Sequence, residues 1–110
     1  MSVLQQRHMV HDDAVRIVAE GRWYASLFLP QIARHESSMA EELLSAAACY
    51  AAEHDLMWKI WRLVGGIGRD ETKVKKFTDP AIRRQIASVV LQARDKDAEA
   101  VDHIEWALTK

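Results

Sequence analysis

The chain has 110 residues, of which 49% are hydrophobic and 28% charged, so it can fold as one domain (1–110) without metal or disulfide support. Its formal net charge of −1 argues against binding to nucleic acid or to an anionic membrane surface. The single cysteine, Cys49, excludes an internal disulfide and fits a reducing compartment. Because no apolar run has the length of a membrane span and the first ten residues lack a signal-peptide core, we expect a cytoplasmic protein.

The first segment of the chain leaves two structures open. Ser2 and Gln5 have the spacing of a capping box, so residues 1–11 either begin a helix or form a loose arm that docks on a partner. The pattern that follows predicts a helix over 12–35, with a kink or a break at Pro30. The apolar residues of this helix form one stripe at helical spacing, which we expect to face the core: Ala14, Ile17, Val18, Gly21, Tyr24, Ala25, Phe28 and Ile32.

The most regular pattern predicts a helix over 38–64, around which the rest of the chain is organised. Ser38 and Glu41 have the spacing of a capping box at its start, and Gly65-Gly66 ends it. Its apolar residues lie on two sides, and a helix of this kind is normally central in its fold. The main strip is Leu43, Ala47, Tyr50, Met57, Trp61 and Val64, and the second strip is Cys49, Leu56, Ile60 and Leu63.

The rest of the chain, from residue 65 onward, completes the predicted fold. Residues 65–79 contain three glycines and then a charged stretch, which predicts a loop that carries at most one helical turn. Asp79-Pro80 predicts the start of a last helix over 80–108, with aspartate as cap and proline at the first helical position. Since no segment shows the alternation of apolar and polar residues typical of strands, we expect an all-α fold. The three long helices would form an antiparallel bundle.

Two sets of apolar residues lack an obvious neighbour within three helices. Trp23 and Leu27 lie off the apolar stripe of the first helix, and Leu56, Ile60 and Leu63 form the second strip of the central one. Either the N-terminal arm or the 65–79 loop covers these residues, or helices of a second chain complete a larger bundle. We favour the homodimer, with these five residues as its ligand or partner surface.

Four polar residues lie on or beside the predicted apolar stripes and are the candidates for chemistry: Glu20, Glu53, His54 and Asp97. A buried carboxylate or imidazole needs a partner, because desolvation without one is unfavourable. They would pair with one another or hold a cation, since carboxylates and histidines that project into a bundle core form metal sites in helical proteins. The alternative is a structural role in a partly hydrated seam between helices.

In several short sequence motifs, the chain resembles a group of small all-α phage proteins related to the MazG-like nucleoside-triphosphate pyrophosphohydrolases. In chain order they are Glu20-Gly21-Arg22-Trp23, His35-Glu36, Glu42-Leu43, Ala46-Ala47-Ala48-Cys49-Tyr50-Ala51, Trp58, Asp79-Pro80 and Arg83-Arg84. The resemblance implies helix-borne carboxylates that hold Mg²⁺, which activates a water against the α–β phosphate linkage of a nucleotide. Glu41-Glu42 matches the family's paired glutamates, but Ser45 stands where a third glutamate is expected.

Two functions follow as hypotheses. The first is a self-associating interaction or ligand-binding module without a cofactor, which acts through protein contacts or a small apolar molecule bound between its helices. The second, implied by the resemblance, is a Mg²⁺-dependent nucleotide pyrophosphohydrolase. DNA binding receives little support because the lysines are concentrated in one predicted loop and the long helices present no basic face.

Overall fold

The computed structural model describes residues 2–66 and 70–109, and these residues form an all-α structure, as the sequence predicts. The elements are α1 (Val3–His35), a short 3-10 helix (Ser37–Met39), α2 (Ala40–Leu63), α3 (Glu71–Thr78) and α4 (Pro80–Leu108). No described residue lies in a β-strand. Residues 67–69 of the predicted 65–79 loop lie outside the described residues. Among the described helices, none combines the length and the apolar character that crossing a membrane requires.

Helix α1 begins nine residues earlier than its predicted start at residue 12. The Ser2 side chain accepts a hydrogen bond from the Gln5 amide at 3.1 Å, and the Gln5 side chain accepts one from the Ser2 amide at 2.8 Å. This capping box satisfies amide groups of the first turn, so residues 3–11 are helical and do not form a loose arm. Pro30 lies inside the helix, which continues to His35, so of the kink or break expected there the break does not occur.

Helix α2 begins two residues later than predicted. Ser38 belongs to the preceding 3-10 helix, and no side chain caps α2 at Met39, so the predicted capping box of Ser38 and Glu41 does not form. The other end follows the prediction, because Gly65 and Gly66 have φ angles of 103° and 74°. Residues other than glycine rarely adopt this region, so the two glycines stop the helix.

The predicted loop contains a two-turn helix, α3, which is longer than the single turn expected there. Asp70 caps it by accepting a hydrogen bond from the Lys73 amide at 3.0 Å. Phe77 near its end packs on α1, with ring centroids 5.2 Å from His8 and 5.1 Å from His11. Helix α3 therefore lies against the N-terminal part of α1. Helix α4 follows at once and starts with an aspartate cap and a proline, as predicted.

Helix α2 is the central element of the fold. It packs along both α1 and α4, whereas direct contact between α1 and α4 is slight among the described residues. The predicted second strip of α2 is covered within the same chain: Ile60 is fully buried in a cluster with Val89 of α4, and Leu56 and Leu63 pack against that cluster. The expectation that this strip lacks a neighbour is therefore wrong, and Ile60 has no surface left for a partner.

Five of the eight residues in the predicted apolar stripe of α1 are exposed, contrary to the prediction, whereas Ile32 near the end of the stripe packs against the core. Ile17, Tyr24 and Phe28 are 70%, 67% and 58% exposed. The buried face of α1 carries a different and more polar set: His8, Asp12, Val15, Ala19, Leu29 and Ala33. Helical periodicity identifies residues that share a face, but it does not tell which of two faces the chain buries in its own core.

The molecule is elongated. It measures 52 × 21 × 17 Å, with a radius of gyration of 16.7 Å. A compact domain of about 100 residues has a radius of gyration of about 13 Å. The three long helices lie side by side, and both α1 and α4 pack on α2. This arrangement accounts for the elongated shape and leaves the outer faces of α1 and α4 exposed to solvent.

Candidate functional site

Three charged side chains from three helices meet beside the core. The Nε atom of Arg22 on α1 lies 3.2 Å from both carboxylate oxygens of Glu53 on α2 and 2.7 Å from Oδ1 of Asp97 on α4. Arg22 has helical spacing to Ala19 and Leu29 on the buried face of its helix, which directs its side chain toward α2. We call Arg22, Glu53 and Asp97 the ionic cluster.

Burial makes the charges of the ionic cluster interdependent. The side chain of Glu53 is 5% exposed, while those of Arg22 and Asp97 are 36% and 35% exposed. Desolvation, followed by hydrogen bonding to Asp97, raises the pKa of Glu53 to about 7 against the opposing effect of Arg22. One guanidinium thus serves two carboxyl groups, of which Glu53 holds a proton over part of the neutral range.

Tyr50 completes the surroundings of Arg22. The guanidinium carbon lies 5.8 Å from the centroid of the Tyr50 ring, within the range of a cation–π interaction. Burial, followed by the negative charge of Asp97, raises the pKa of Tyr50 above its usual value, so its hydroxyl stays protonated at neutral pH. The aromatic face and the two carboxyl groups together hold Arg22 in one position.

The raised pKa of Glu53 predicts a pH dependence of stability. Between about pH 4.5 and about pH 7 the folded protein binds a proton at Glu53 that the unfolded chain has lost, so the free energy of unfolding falls as the pH rises through this range. Urea unfolding of the wild type and of Glu53→Gln measures this contribution. We expect the stability of the wild type relative to the variant to decrease with pH, and a constant difference would contradict the assignment.

His54 follows Glu53 but belongs to a separate aromatic group. Trp58 Nε1 donates a hydrogen bond to His54 Nε2 at 2.9 Å, and His54 Nδ1 lies 3.0 Å from the Asp55 carboxylate. Since the indole can only donate, Nε2 is the acceptor, and the protonated Nδ1 donates a hydrogen bond to the Asp55 carboxylate. Trp23 packs over the ring at a centroid distance of 4.9 Å. Both nitrogens of His54 are therefore engaged and unavailable to a metal.

The predicted metal candidates meet only in part. Glu53 and Asp97 come together, His54 turns toward the tryptophans, and Glu20 is exposed on α1 without a hydrogen bond or ion pair to any described residue. Within residues 2–66 and 70–109, no three histidine, cysteine, aspartate or glutamate side chains form a group suited to a metal ion. The guanidinium of Arg22, which the sequence reasoning missed, is the cation that the two carboxylates hold. No local sequence pattern identifies Arg22, because the face of α1 that carries it is not the more apolar one.

The outer face of α1 is the second candidate site. Eight residues recur at alternating steps of three and four, and all of them are exposed. We call them the outer seam: Arg7, Val10, Ala14, Ile17, Gly21, Tyr24, Phe28 and Gln31. A Cβ atom placed on Gly21 would meet no described atom within 4 Å, so the fold of the single chain does not require a glycine there. At the C-terminal half of the seam, a shallow depression of about 540 Å³ is lined by Tyr24, Ala25, Leu27, Phe28 and Gln31.

The five residues predicted as a partner surface do not form one patch. Leu27 lines the depression on α1, and Trp23 is partly exposed beside His54. Leu56 lies in an open groove of about 590 Å³ between α2 and α4, together with Ala52. Leu63 lines a smaller groove between the same helices, and Ile60 is buried. The rim of the larger groove carries charges of both signs: Asp55, Lys59, Arg62, Asp95, Lys96 and Glu99.

Comparison of this chain with protein-family models, with curated proteins and with solved structures found no match in any of the three.

Proposed function

We propose that this protein acts by self-association, and that the outer seam of α1 binds a second copy to form a homodimer. The observation that carries the proposal is the exposure of the most apolar stripe of the longest helix. Full burial of a side chain such as Ile17 or Phe28 stabilises by about 1.5–3 kcal/mol, so burial of several such residues along one seam would be the main favourable contribution to association.

The shape of the seam supports this proposal. From Arg7 to Gln31 it extends roughly 36 Å along the helix axis, at about 1.5 Å per residue. Its exposed apolar side chains lie between Val10 and Phe28. Large exposed apolar patches on soluble proteins mark interaction surfaces.

The ionic cluster favours an interaction module over a catalyst. Its charges pair within the chain, and Arg22 joins α1 to both α2 and α4. Such a cluster fixes the positions of three helices relative to one another. It thereby gives α1 a rigid support on which a binding surface can be presented to a partner.

Sedimentation of the purified wild-type protein across the micromolar range tests the proposal. We expect a species of twice the 12.6 kDa chain mass, which dissociates on dilution. A single species of 12.6 kDa throughout this range would overturn self-association.

A Mg²⁺-dependent nucleotide pyrophosphohydrolase is a second candidate, favoured by one observation. Glu53 and Asp97, two of the proposed metal ligands, approach each other around Arg22. Pyrophosphate release from a panel of nucleoside triphosphates, with Mg²⁺ and then Mn²⁺, is the test. Metal-dependent turnover that Glu53→Ala and Asp97→Ala both abolish would favour this activity. No pyrophosphate release from any nucleotide of the panel would contradict it.

A further inference from the structure

We infer that the two copies pack antiparallel along the outer seam, about a twofold axis that passes between Ile17 and Gly21. This inference rests on the proposed self-association and adds the identity and the direction of the contacting residues. Alternating steps of three and four place seam residues in the a and d positions of a heptad, the arrangement in which two helices interlock side chains.

The antiparallel arrangement pairs small residues with large ones. With Ile17 of one copy level with Gly21 of the other, Ala14 lies opposite Tyr24, and Val10 lies opposite Phe28. Every layer then contains at least one large side chain, and the total side-chain volume varies less between layers than it would if each residue met its own copy.

A parallel arrangement would place every seam residue opposite itself. Two glycines would share one layer and two tyrosines another, so some layers would contain voids while others held the helices apart. It would also place Arg7 against Arg7, whereas the antiparallel arrangement places Arg7 opposite the neutral amide of Gln31. Size and charge therefore favour the same direction.

Gly21 supports the same arrangement. A glycine inside a helix lowers stability by about 0.5–1 kcal/mol relative to alanine, and this chain has open space where the methyl group would lie. In the antiparallel pair, Ile17 of the second copy enters that space. The depression lined by Tyr24, Leu27 and Phe28 would likewise receive Val10 of the second copy.

Thiol cross-linking tests the direction of the two helices. Cys49 is buried and donates a hydrogen bond to Glu99, so Cys49→Ala provides a background in which only an added thiol reacts. In that background, Ala14→Cys and Tyr24→Cys chains are prepared separately, mixed, allowed to exchange and then oxidised. Mass spectrometry distinguishes the three possible products, because the two chains differ in mass. A second pair, Val10→Cys with Phe28→Cys, repeats the test in another layer.

We expect the mixed product to dominate in both pairs, with little product from either variant alone. A wild-type dimer in which each variant cross-links to itself would overturn the antiparallel direction and leave self-association intact. A wild-type dimer that yields no product from any of the four variants would exclude the outer seam as the interface. A monomeric wild type in sedimentation would overturn the proposed function itself, independently of any cross-link.

Discussion

Ile17→Glu is expected to convert the protein to a monomer at concentrations where the wild type is dimeric. The new carboxylate would be removed from water against Gly21 of the second copy, where no partner group neutralises it. We expect association at least about 100-fold weaker, which corresponds to roughly 2.7 kcal/mol. Ile17 is exposed in the single chain, so the chain should keep its helical content and its stability as a monomer. Sedimentation with circular dichroism measures both properties.

Leu91→Glu is the matched control for this variant. Leu91 is also an exposed apolar residue, but it lies on α4, away from the outer seam. We expect this control to remain dimeric. Equal dissociation of both variants would show that the effect of the charge is not specific to α1, and an unchanged dimer in Ile17→Glu would exclude the seam.

Arg22→Ala should produce the largest loss of stability among single changes in the ionic cluster. It leaves Glu53 and Asp97 side by side without their cation. Removing one partner of a buried ion pair typically lowers stability by about 3–5 kcal/mol. Since Arg22 and Asp97 remain partly exposed, we expect a value near the lower end, about 3 kcal/mol, in urea unfolding at neutral pH.

Arg16→Ala provides the control on the same helix. Arg16 pairs with Asp13 at 2.8 Å, and both side chains are about half exposed. Such surface pairs contribute about 0.2–1 kcal/mol, so this variant should unfold almost as the wild type does. The loss caused by Arg22→Ala should also shrink toward about pH 5, where Glu53 holds its proton and less negative charge remains to be balanced. Equal losses for the two arginines would refute a structural role for the ionic cluster.

The elements that the sequence predicts well depend on neighbouring residues. The stop of α2 at Gly65-Gly66 and the start of α4 at Asp79-Pro80 follow from backbone conformation and capping, which a few adjacent residues determine. The two apolar sides of α2 also correctly indicate its central position. The capping box of Ser38 and Glu41 fails although its spacing is suitable, because Ser38 belongs to a 3-10 turn.

The features that the sequence does not reveal depend on residues far apart in the chain. Arg22, between Gly21 and Trp23, has the pattern of an exposed residue, and its burial results from carboxylates 31 and 75 positions away. The direction of α1 is a similar case. Its more apolar face is outside because α2 contacts the face that carries Ala19 and Arg22, and local periodicity contains no information about that choice.

The distribution of the ionic cluster over three helices has a consequence for the order of folding. The shorter separation of 31 residues favours early contact of Arg22 with Glu53 in a hairpin of α1 and α2, whereas the contact with Asp97, 75 residues away, also requires α4 to dock. Interactions that form after the transition state slow unfolding and leave the folding rate almost unchanged. Asp97 should therefore mainly lower the unfolding rate of the protein. It should lengthen the lifetime of the native state while changing the folding rate little.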